Sequence, residues 1–338
     1  MKMRAMVLPR LASFDETPAP LEFRTLPIPE PGPNELLLRV HACGVCHTEL
    51  DEIEGRTPPP RLPIVLGHEV VGEVVGIGPG ASRGRLGERV GVGWIHRSCG
   101  GDAENLSPAF VATGRDVNGG YADYMTAPEG YAYRLPERLS AIEAAPLLCA
   151  GAIGYRALRL SGLANGQALG LMGFGGSAHL VLPMVRHLFP AARTYVFARS
   201  SEVQTFAREM GAAWAGGIAE RAPERLDACI DTTPAWTPVV HALANLRPGG
   251  RLVINAIRKE DRDKPALMQL SYHEHLWMER EVKSVANITG QDITAHLALA
   301  GEIPLRPTVT TYPLEAANEA LVRLHTTPTR GANVLVMH

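Results

Sequence analysis

Three short segments of the chain carry side chains that bind transition metals: residues 43–49, 67–72 and 147–151. Thiolates and neutral imidazoles are the usual ligands of zinc, and a catalytic zinc keeps three protein ligands and one open position. Cys46, His68 and Cys149 would supply such a set. Taken singly, each of them is more simply explained as a buried thiol or a core histidine.

The pair Cys43 and Cys46 has further interpretations. Its C-x-x-C spacing is also typical of a redox pair or of half a zinc knuckle. The chain has no second C-x-x-C pair, which weakens the knuckle interpretation. The five cysteines are few and odd in number, so a disulfide framework is not expected, and reduced thiols are typical of a cytosolic protein.

A glycine-rich turn that begins at Gly173 fits the G-x-G-x-x-G/A pattern of dinucleotide-binding proteins. It follows a predicted buried strand at 168–172 and opens a predicted helix. Gly173 allows the tight turn, Gly175 lets a pyrophosphate approach the backbone, and Ala178 is small enough for close helix–strand packing. The predicted cofactor-binding residues are Gly173, Gly175, Gly176, Ser177 and Ala178. The alternative is a glycine-rich surface loop.

The end of the next predicted strand, 194–197, bears on the choice of cofactor. NAD sites usually carry Asp or Glu there to bind the ribose 2′-hydroxyl, but this strand is followed by Ala198, Arg199 and Ser200. An acid would repel a 2′-phosphate, whereas Arg199 and the Ser200 hydroxyl could bind one. We therefore predict NADP in preference to NAD. If Arg199 is only a solvated charge, the site has no strong preference.

These residues need a framework of strands and helices, whose pattern changes along the chain. Short Val/Ile runs and glycines predict β-strands in residues 1–150, and residues 141–160 have helical spacing. Apolar strands then alternate with helices, which predicts a parallel sheet with helices on both faces. We predict an α/β protein of two domains. A β-rich catalytic, zinc-binding domain comprises 1–150 and 289–338, and a doubly wound parallel-sheet (Rossmann) dinucleotide-binding domain comprises 151–288.

Composition excludes several classes of protein. The chain has 338 residues, of which 46% are hydrophobic and 20% charged, as in a globular protein rather than a disordered or fibrous one. Its net charge of −2 leaves no basic excess for binding nucleic acid. The longest apolar stretch, 168–185, is interrupted by glycines and Pro183, so no membrane span is expected. No secretory signal is recognisable at the N-terminus, and we expect a cytoplasmic location.

In combination, the motifs resemble those of the zinc-dependent alcohol dehydrogenases of the medium-chain dehydrogenase/reductase superfamily. G-V-C-H-T at 44–48, G-H-E-V-V-G at 67–72, Cys149 and the glycine turn occur in that family's order and at close to its spacing. The resemblance covers essentially the whole chain. It implies a GroES-like fold for the β-rich domain and a catalytic zinc on Cys46, His68 and Cys149. It also implies a small-molecule alcohol or aldehyde as substrate and a homo-oligomer, either a dimer or a tetramer.

The resemblance further implies roles for residues around the zinc. Glu69 is the acid that can approach the metal, and Thr48 is the hydroxyl that hydrogen-bonds the substrate oxygen. Glu49 takes the place of a second carboxylate, more often Asp, that fixes the tautomer of the zinc-binding histidine. Trp94 matches a position that lines the substrate pocket. The alternative is a core tryptophan of the β-rich domain, and both descriptions can hold.

Two departures from the family pattern change the expectations. Many members hold a second, structural zinc on four cysteines in the lobe after the Trp94 strand. Here only Cys99 remains of that set, the lobe at 99–120 is shortened, and Ser107 stands where the fourth cysteine would be, so we predict one zinc per chain. Asp51 stands where many members have a histidine at the outer end of a proton relay. It either accepts a proton through water or is only a solvated carboxylate.

The expected reaction is the reversible oxidation of an alcohol to an aldehyde or ketone, with hydride transfer to NAD(P). Two alternatives stay open. Zinc-independent quinone or enone reductases of the same superfamily lack the zinc ligands, so the presence of all three argues against that class. A non-enzymatic zinc- or NADP-binding protein would keep both sites and turn over no alcohol.

Overall fold

The computed structural model describes residues 1–327 and 331–337, which divide into two compact units. The first unit comprises Met1–Ala152 and Asn287–His338, and the second comprises Ile153–Ala286. The second unit is therefore an insertion in the sequence of the first. Its ends lie two residues from the predicted domain boundaries.

Strands dominate the first unit, and strands alternate with helices in the second. The strands are β1 Lys2–Leu8, β2 Glu22–Pro27, β3 Glu35–Val45, β4 Ile64–Val65, β5 Val70–Ile77, β6 Arg89–Val92, β7 Ile95–Arg97, β8 Val111–Ala112, β9 Tyr124–Pro128, β10 Ala132–Arg134, β11 Ala168–Met172, β12 Arg193–Phe197, β13 Trp214–Gly216, β14 Leu226–Asp231, β15 Leu246–Ile254, β16 Glu281–Ser284, β17 Val309–Pro313 and β18 Ala332–Val336. The α-helices are α1 His47–Ile53, α2 Ala141–Ala144, α3 Ala150–Ser161, α4 Ala178–Leu188, α5 Ser201–Glu209, α6 Thr237–Asn245, α7 Gly290–Glu302 and α8 Ala317–Thr326. Shorter helical segments, all 3₁₀ except the fifth, which is a π turn, are Glu104–Leu106, Glu129–Tyr131, Ala145–Leu148, Lys264–Gln269, Tyr272–Leu276 and Leu314–Ala316.

The largest sheet of the first unit has the order β10-β6-β5-β3-β18-β17, with β9 paired to β3. All of its pairings are antiparallel except β17 with β18. Burial alternates along the first half of strand β3, where Leu36, Leu38 and Val40 are buried and Arg39 is exposed, as expected for a strand with one face on the core. A three-stranded sheet β2-β1-β4 and the hairpin β7-β8 complete the described strands of this unit. The expected β-rich domain is confirmed.

The second unit contains one parallel sheet of six strands in the order β13-β12-β11-β14-β15-β16. Counted from β11, this is the 3-2-1-4-5-6 order of doubly wound dinucleotide-binding folds. Each residue of the central strand β11 is buried, as expected for a strand covered on both faces. The predicted α/β fold class with a doubly wound parallel sheet is confirmed.

The helical spacing at 141–160 does not form one continuous helix. Helix α2 ends at Ala144, a 3₁₀ segment follows, and α3 begins at Ala150. Pro146 lies at the start of the 3₁₀ segment. Because proline has no backbone N–H and its ring clashes with the preceding turn, it interrupts an α-helix. Cys149 lies at the resulting break, with φ −127° and ψ −73°.

Within residues 1–327 and 331–337, no single helix has both the length and the apolar composition of a membrane span. The two segments Ala141–Leu148 and Ala150–Ser161 reach that length and composition only when they are taken together, and they meet at a bend of 43°.

Candidate active site

Four potential metal ligands converge in the first unit. One ligand atom each from Cys46, His68, Glu69 and Cys149 lies within 4.8 Å of the others. His68 and Glu69 are buried, and the two cysteines are partly buried. The three sequence segments thus meet in the fold. Among the described residues this is the one group of three or more His, Cys, Asp or Glu side chains so arranged.

The pairing of β3 with β5 brings the first two segments together. The strands are antiparallel, with Cys43 opposite Val70, so the end of β3 and the start of β5 lie at the same edge of the sheet. Cys46 follows β3, and His68 precedes β5. Gly44 permits the close approach, because a Cβ there would lie 1.8 Å from Oε2 of Glu69.

Cys149 reaches the same place because its segment packs closely on β6 and the residues after it. A Cβ on Gly91 would lie 2.6 Å from Cδ2 of Leu148, and a Cβ on Gly93 would lie 2.9 Å from the Leu148 carbonyl oxygen. At Gly93 the close atom is backbone, so a side chain there would displace this segment, whereas at Gly91 the close atoms are the ends of leucine side chains. Cys149 lies at the break between the 3₁₀ segment and α3, and there its side chain is beside Cys46 and His68.

Glu49 contacts two of the candidate ligand residues at once. Its Oε2 accepts a hydrogen bond from the Cys46 backbone N–H at 2.8 Å, and its Oε1 lies 2.6 Å from Nδ1 of His68. This contact occupies Nδ1 and leaves Nε2 of His68 available as the ligand atom. Among the described residues, both ring nitrogens are buried and neither makes a hydrogen bond of ordinary geometry, so the short distance to Glu49 is what distinguishes Nδ1 from Nε2. Although longer than the usual Asp, Glu49 therefore reaches the histidine.

The electrostatics of the cluster favour a bound cation. The neighbouring Cys149 thiol, and then His68, hold the pKa of Cys46 well below its ordinary value. Burial alone would lower the pKa of His68, but Glu49 and Cys46 raise it well above its ordinary value. Burial raises the pKa of Glu69 as well. A thiol that ionises readily, buried beside an imidazole and a carboxyl group that retain their protons, fits a divalent metal, which would displace the protons of His68 and Glu69. Two sulfurs and one imidazole are the ligand types that zinc prefers.

Thr48 and Trp94 flank the cluster. The Thr48 hydroxyl lies 3.5 Å from the Cys46 sulfur. The Trp94 ring packs edge-on against His68, with ring centroids 4.8 Å apart and an interplanar angle of 75°. Both side chains are buried. Trp94 is thus a buried tryptophan of the β-rich unit and also a neighbour of the candidate ligands.

Asp51 is buried, not solvated. Only 1% of it is exposed, and its Oδ1 accepts a hydrogen bond from Nε of Arg56 at 2.6 Å. Arg56 also pairs with Glu54. The sequence analysis did not identify Arg56 as a partner, although its separation of five residues from Asp51 places it just beyond the end of α1.

Cys43 is separated from the cluster by its packing. It is fully buried, and both its sulfur and the Tyr121 ring pack against Gly67. A Cβ added to Gly67 would lie 2.9 Å from the Cys43 sulfur. Cys43 and Cys46 are both free thiols. The C-x-x-C spacing here reflects the end of a strand followed by a helix, and it forms no disulfide.

The glycine turn of the second unit has the predicted context. It connects β11 to α4, and Gly173 has φ +83°, which favours glycine. A Cβ on Gly175 would meet no atom within 4 Å, so space is open beside the backbone there. Ala178 is fully buried at the first position of α4. The Ser177 hydroxyl accepts a hydrogen bond from Nδ2 of Asn255 at 3.2 Å.

The residues after β12 have different surroundings. The Ala198 N–H donates to the Gly216 carbonyl, and Ala198 is buried. Ser200 is the N-cap of α5, where its hydroxyl accepts from the Val203 N–H at 3.3 Å. Arg199 is exposed, and no carboxylate of the described residues pairs with it. Its guanidinium is therefore the group here that is free to bind an anion.

Comparisons with known proteins agree with this architecture. The family described as "Alcohol dehydrogenase GroES-like domain" matches residues 32–137. A protein of Mycobacterium tuberculosis named "Probable alcohol dehydrogenase AdhA" is 41% identical over 329 residues, which cover 94% of this chain and 93% of its own. An alcohol dehydrogenase of Geobacillus stearothermophilus is 30% identical over 341 residues, which cover 96% and 98% of the two chains.

A solved structure of a cinnamyl alcohol dehydrogenase (SbCAD4) from Sorghum bicolor is similar over nearly the whole fold. Its TM-score is 0.83 and its sequence identity 25%, with 99% of this chain and 98% of that chain covered. The sequence relatives extend over both units of the chain. The chain therefore belongs to the zinc-dependent alcohol dehydrogenases of the medium-chain dehydrogenase/reductase superfamily, and it is an oxidoreductase that acts on the CH–OH group of alcohols.

Proposed function

We propose that this alcohol dehydrogenase holds one catalytic zinc on Cys46, His68 and Cys149. The observation that carries the proposal is the convergence of these ligand atoms, together with Glu69, within 4.8 Å. Three ligands leave an open position for a substrate oxygen, as in catalytic zinc sites. Cys99 is the only cysteine of the shortened lobe, and one thiolate cannot hold a structural zinc, which supports a single ion per chain.

The residues around the cluster have distinct roles in this proposal. Zinc would supply Lewis acidity that favours the deprotonated form of the alcohol. Thr48 accepts the proton of the alcohol hydroxyl and orients its oxygen, because its hydroxyl lies beside Cys46. Glu49 fixes the tautomer of His68. Glu69 is close enough to exchange with another ligand, and Trp94 covers the site on the side of His68.

Asp51 is proposed as the outer acceptor of the proton that leaves through Thr48. Its burial and its hydrogen bond from Arg56 support a fixed orientation for the carboxylate. The ion pair with Arg56 distinguishes this position from the histidine of many relatives. A relay through Asp51 would therefore depend on Arg56 as well.

The second unit is proposed to bind a nicotinamide dinucleotide at its glycine turn. The cofactor would accept the hydride, and the protein would supply its binding and orientation. The positive φ of Gly173, the open space at Gly175 and the N-terminus of α4 support a pyrophosphate site formed by Gly173, Gly175, Gly176, Ser177 and Ala178. NADP is favoured over NAD, because Arg199 is exposed and unpaired among the described residues and Ala198 carries no charge.

A homo-oligomer, a dimer or a tetramer, is also part of the proposal. Strand β16 ends the sheet of the second unit, and Trp277, Met278 and Val282 nearby are 49%, 51% and 49% exposed. An open sheet edge with exposed apolar side chains supports association with another chain. The five free thiols support a reducing, cytoplasmic location.

The experiment combines metal analysis with alcohol turnover on the same preparations. We expect one zinc per wild-type chain, loss of zinc and turnover in Cys46→Ser and His68→Ala, and no change in Cys99→Ser, the exposed-cysteine control. A panel of alcohols is assayed with both NADP and NAD. Full activity in the His68→Ala protein without zinc would overturn the ligand assignment, and activity on enones alone would favour the zinc-independent reductase.

A further inference from the structure

The indole of Trp94 is buried beside His68 and needs a partner for its N–H. Trp94 is 9% exposed, and its ring meets the His68 ring edge-on at 4.8 Å. An indole N–H can only donate a hydrogen bond, and a buried one usually has an acceptor. The orientation of Trp94, and with it this side of the candidate zinc site, therefore depends on the position of that acceptor.

The acceptor is Asn287, which lies 193 residues further along the chain. Its Oδ1 accepts from Nε1 of Trp94 at 3.1 Å, and its Nδ2 donates to the Asn105 carbonyl oxygen at 3.1 Å. Because the indole can only donate and the carbonyl can only accept, the amide has one orientation that satisfies both. Asn287 has φ +53°, a left-handed conformation that asparagine tolerates better than most residues. Both side-chain groups and the backbone of Asn287 are thus specified.

Asn105 belongs to the shortened lobe, which is itself anchored. The neighbouring Glu104 accepts from the Gly290 N–H at 2.6 Å and from the Tyr131 hydroxyl at 2.9 Å. Its backbone carbonyl accepts from the Ser98 hydroxyl at 2.7 Å. A continuous set of hydrogen bonds therefore leads from this loop, through one amide, to the tryptophan that packs on His68.

We propose that Asn287 is a positioning residue for the alcohol site, which holds the Trp94 indole against His68 and thereby shapes the pocket wall. The inference rests on the proposed function, since the pocket lies at the candidate zinc ligands. Alcohols large enough to pack on the indole depend on this wall, whereas ethanol does not. The shortened lobe thus acts on substrate selection through Asn287.

The test replaces Asn287 by Gly, which removes the amide and tolerates the left-handed backbone. Losing one hydrogen bond typically costs about fivefold in an equilibrium. We expect the KM for benzyl alcohol to rise about fivefold, with kcat and both constants for ethanol within twofold of wild type. Asn287→Asp keeps an acceptor for Trp94 but places an oxygen against the Asn105 carbonyl, so it should recover only part of the loss. Asn34→Gly, the same change at φ +58° in an exposed turn, is the control.

A double-mutant cycle distinguishes positioning from a general structural effect. Trp94→Phe removes the indole N–H and keeps an aromatic ring, so Asn287→Gly should have no further effect on KM in that background. When the tryptophans are labelled with nitrogen-15, the indole N–H signal of Trp94 in the NMR spectrum is assigned by its loss in Trp94→Phe. The chemical shift of this signal should change, and its proton should exchange faster with solvent, in Asn287→Gly but not in Asn34→Gly.

The spectroscopic arm needs neither substrate nor metal, so it separates this inference from the proposed function. If the wild-type protein oxidised no alcohol of the panel, the proposed function would fail, and the indole signal alone would decide the role of Asn287. An unchanged indole signal in Asn287→Gly would overturn the inference. An equal rise in KM for both alcohols, or the same effect in the Trp94→Phe background, would also overturn it.

Discussion

Replacing Glu49 by Gln tests whether one carboxylate orients two ligand residues of the metal site. Its two oxygens face two N–H groups, the Cys46 backbone at 2.8 Å and His68 Nδ1 at 2.6 Å. A glutamine of nearly the same shape has one oxygen and one NH₂ group, so it can accept from only one of them. The NH₂ group would then face a second donor at a position with 0% exposure.

One estimate gives the expected cost in stability, and a second gives the expected loss of metal affinity. A buried donor left without an acceptor costs about 1–3 kcal/mol. Removing the carboxylate that orients a metal-binding histidine costs about 10- to 100-fold in metal affinity, and a factor of ten corresponds to about 1.4 kcal/mol. We therefore expect Glu49→Gln to bind zinc about 10- to 100-fold more weakly than wild type.

The zinc affinity is measured by competition with a chromogenic chelator. Glu73→Gln is the matched control, because Glu73 lies in β5, its side chain is 28% exposed and it pairs with Arg39 at 2.8 Å. A surface pair of this kind contributes about 0–1 kcal/mol to stability, so zinc affinity should not change. If Glu49→Gln bound zinc as tightly as wild type, the proposed function of this carboxylate would be wrong.

Three further predictions concern chemistry, cofactor and stability. Thr48→Ala should lower kcat by about 10²–10⁴-fold, whereas Thr48→Ser, which keeps the hydroxyl, should retain most of the turnover. Arg199→Ala should weaken NADPH binding about tenfold or more, because one hydrogen bond to a charged group contributes about 1.5–3 kcal/mol. The same variant should bind NADH nearly as well as wild type. Ala198→Asp should reverse the preference for NADPH over NADH. Burial lowers the pKa of His296 to about 4, below an ordinary value of about 6.5. Because the unfolded chain then takes up the proton first, the free energy of unfolding should fall by up to about 3 kcal/mol as the pH drops from about 6.5 to 4, and His296→Asn should remove that part of the pH dependence in urea titrations.

Each of these predictions has a result that contradicts it. Equal turnover of Thr48→Ala and Thr48→Ser would mean that the Thr48 hydroxyl takes no part in the reaction. A wild-type preference for NADH, or an equal loss of both cofactors in Arg199→Ala, would mean that Arg199 does not contact a 2′-phosphate. For His296, the contradictory result is a His296→Asn protein whose stability still falls with wild-type slope between about pH 6.5 and 4.

The second unit was the more predictable from sequence, because its signals are local. The strands at 168–172 and 226–231 were recognisable as short apolar runs, and they are β11 and β14. The turn at Gly173 joins consecutive elements, so its glycine pattern reports directly on the backbone between them. The order of the strands follows from the alternation of strands and helices together with the few topologies that such units adopt.

The sequence by itself determined the types of side chain at the candidate site and the family to which the motifs belong. Tertiary structure decided which atoms meet. The break at Cys149 follows from Pro146 and from packing on Gly91 and Gly93, and it moves a thiol out of an expected helix. The link from Trp94 to Asn287 joins residues that no local pattern relates, because hydrogen-bond partners in a folded chain depend on sheet register and loop packing rather than on sequence separation.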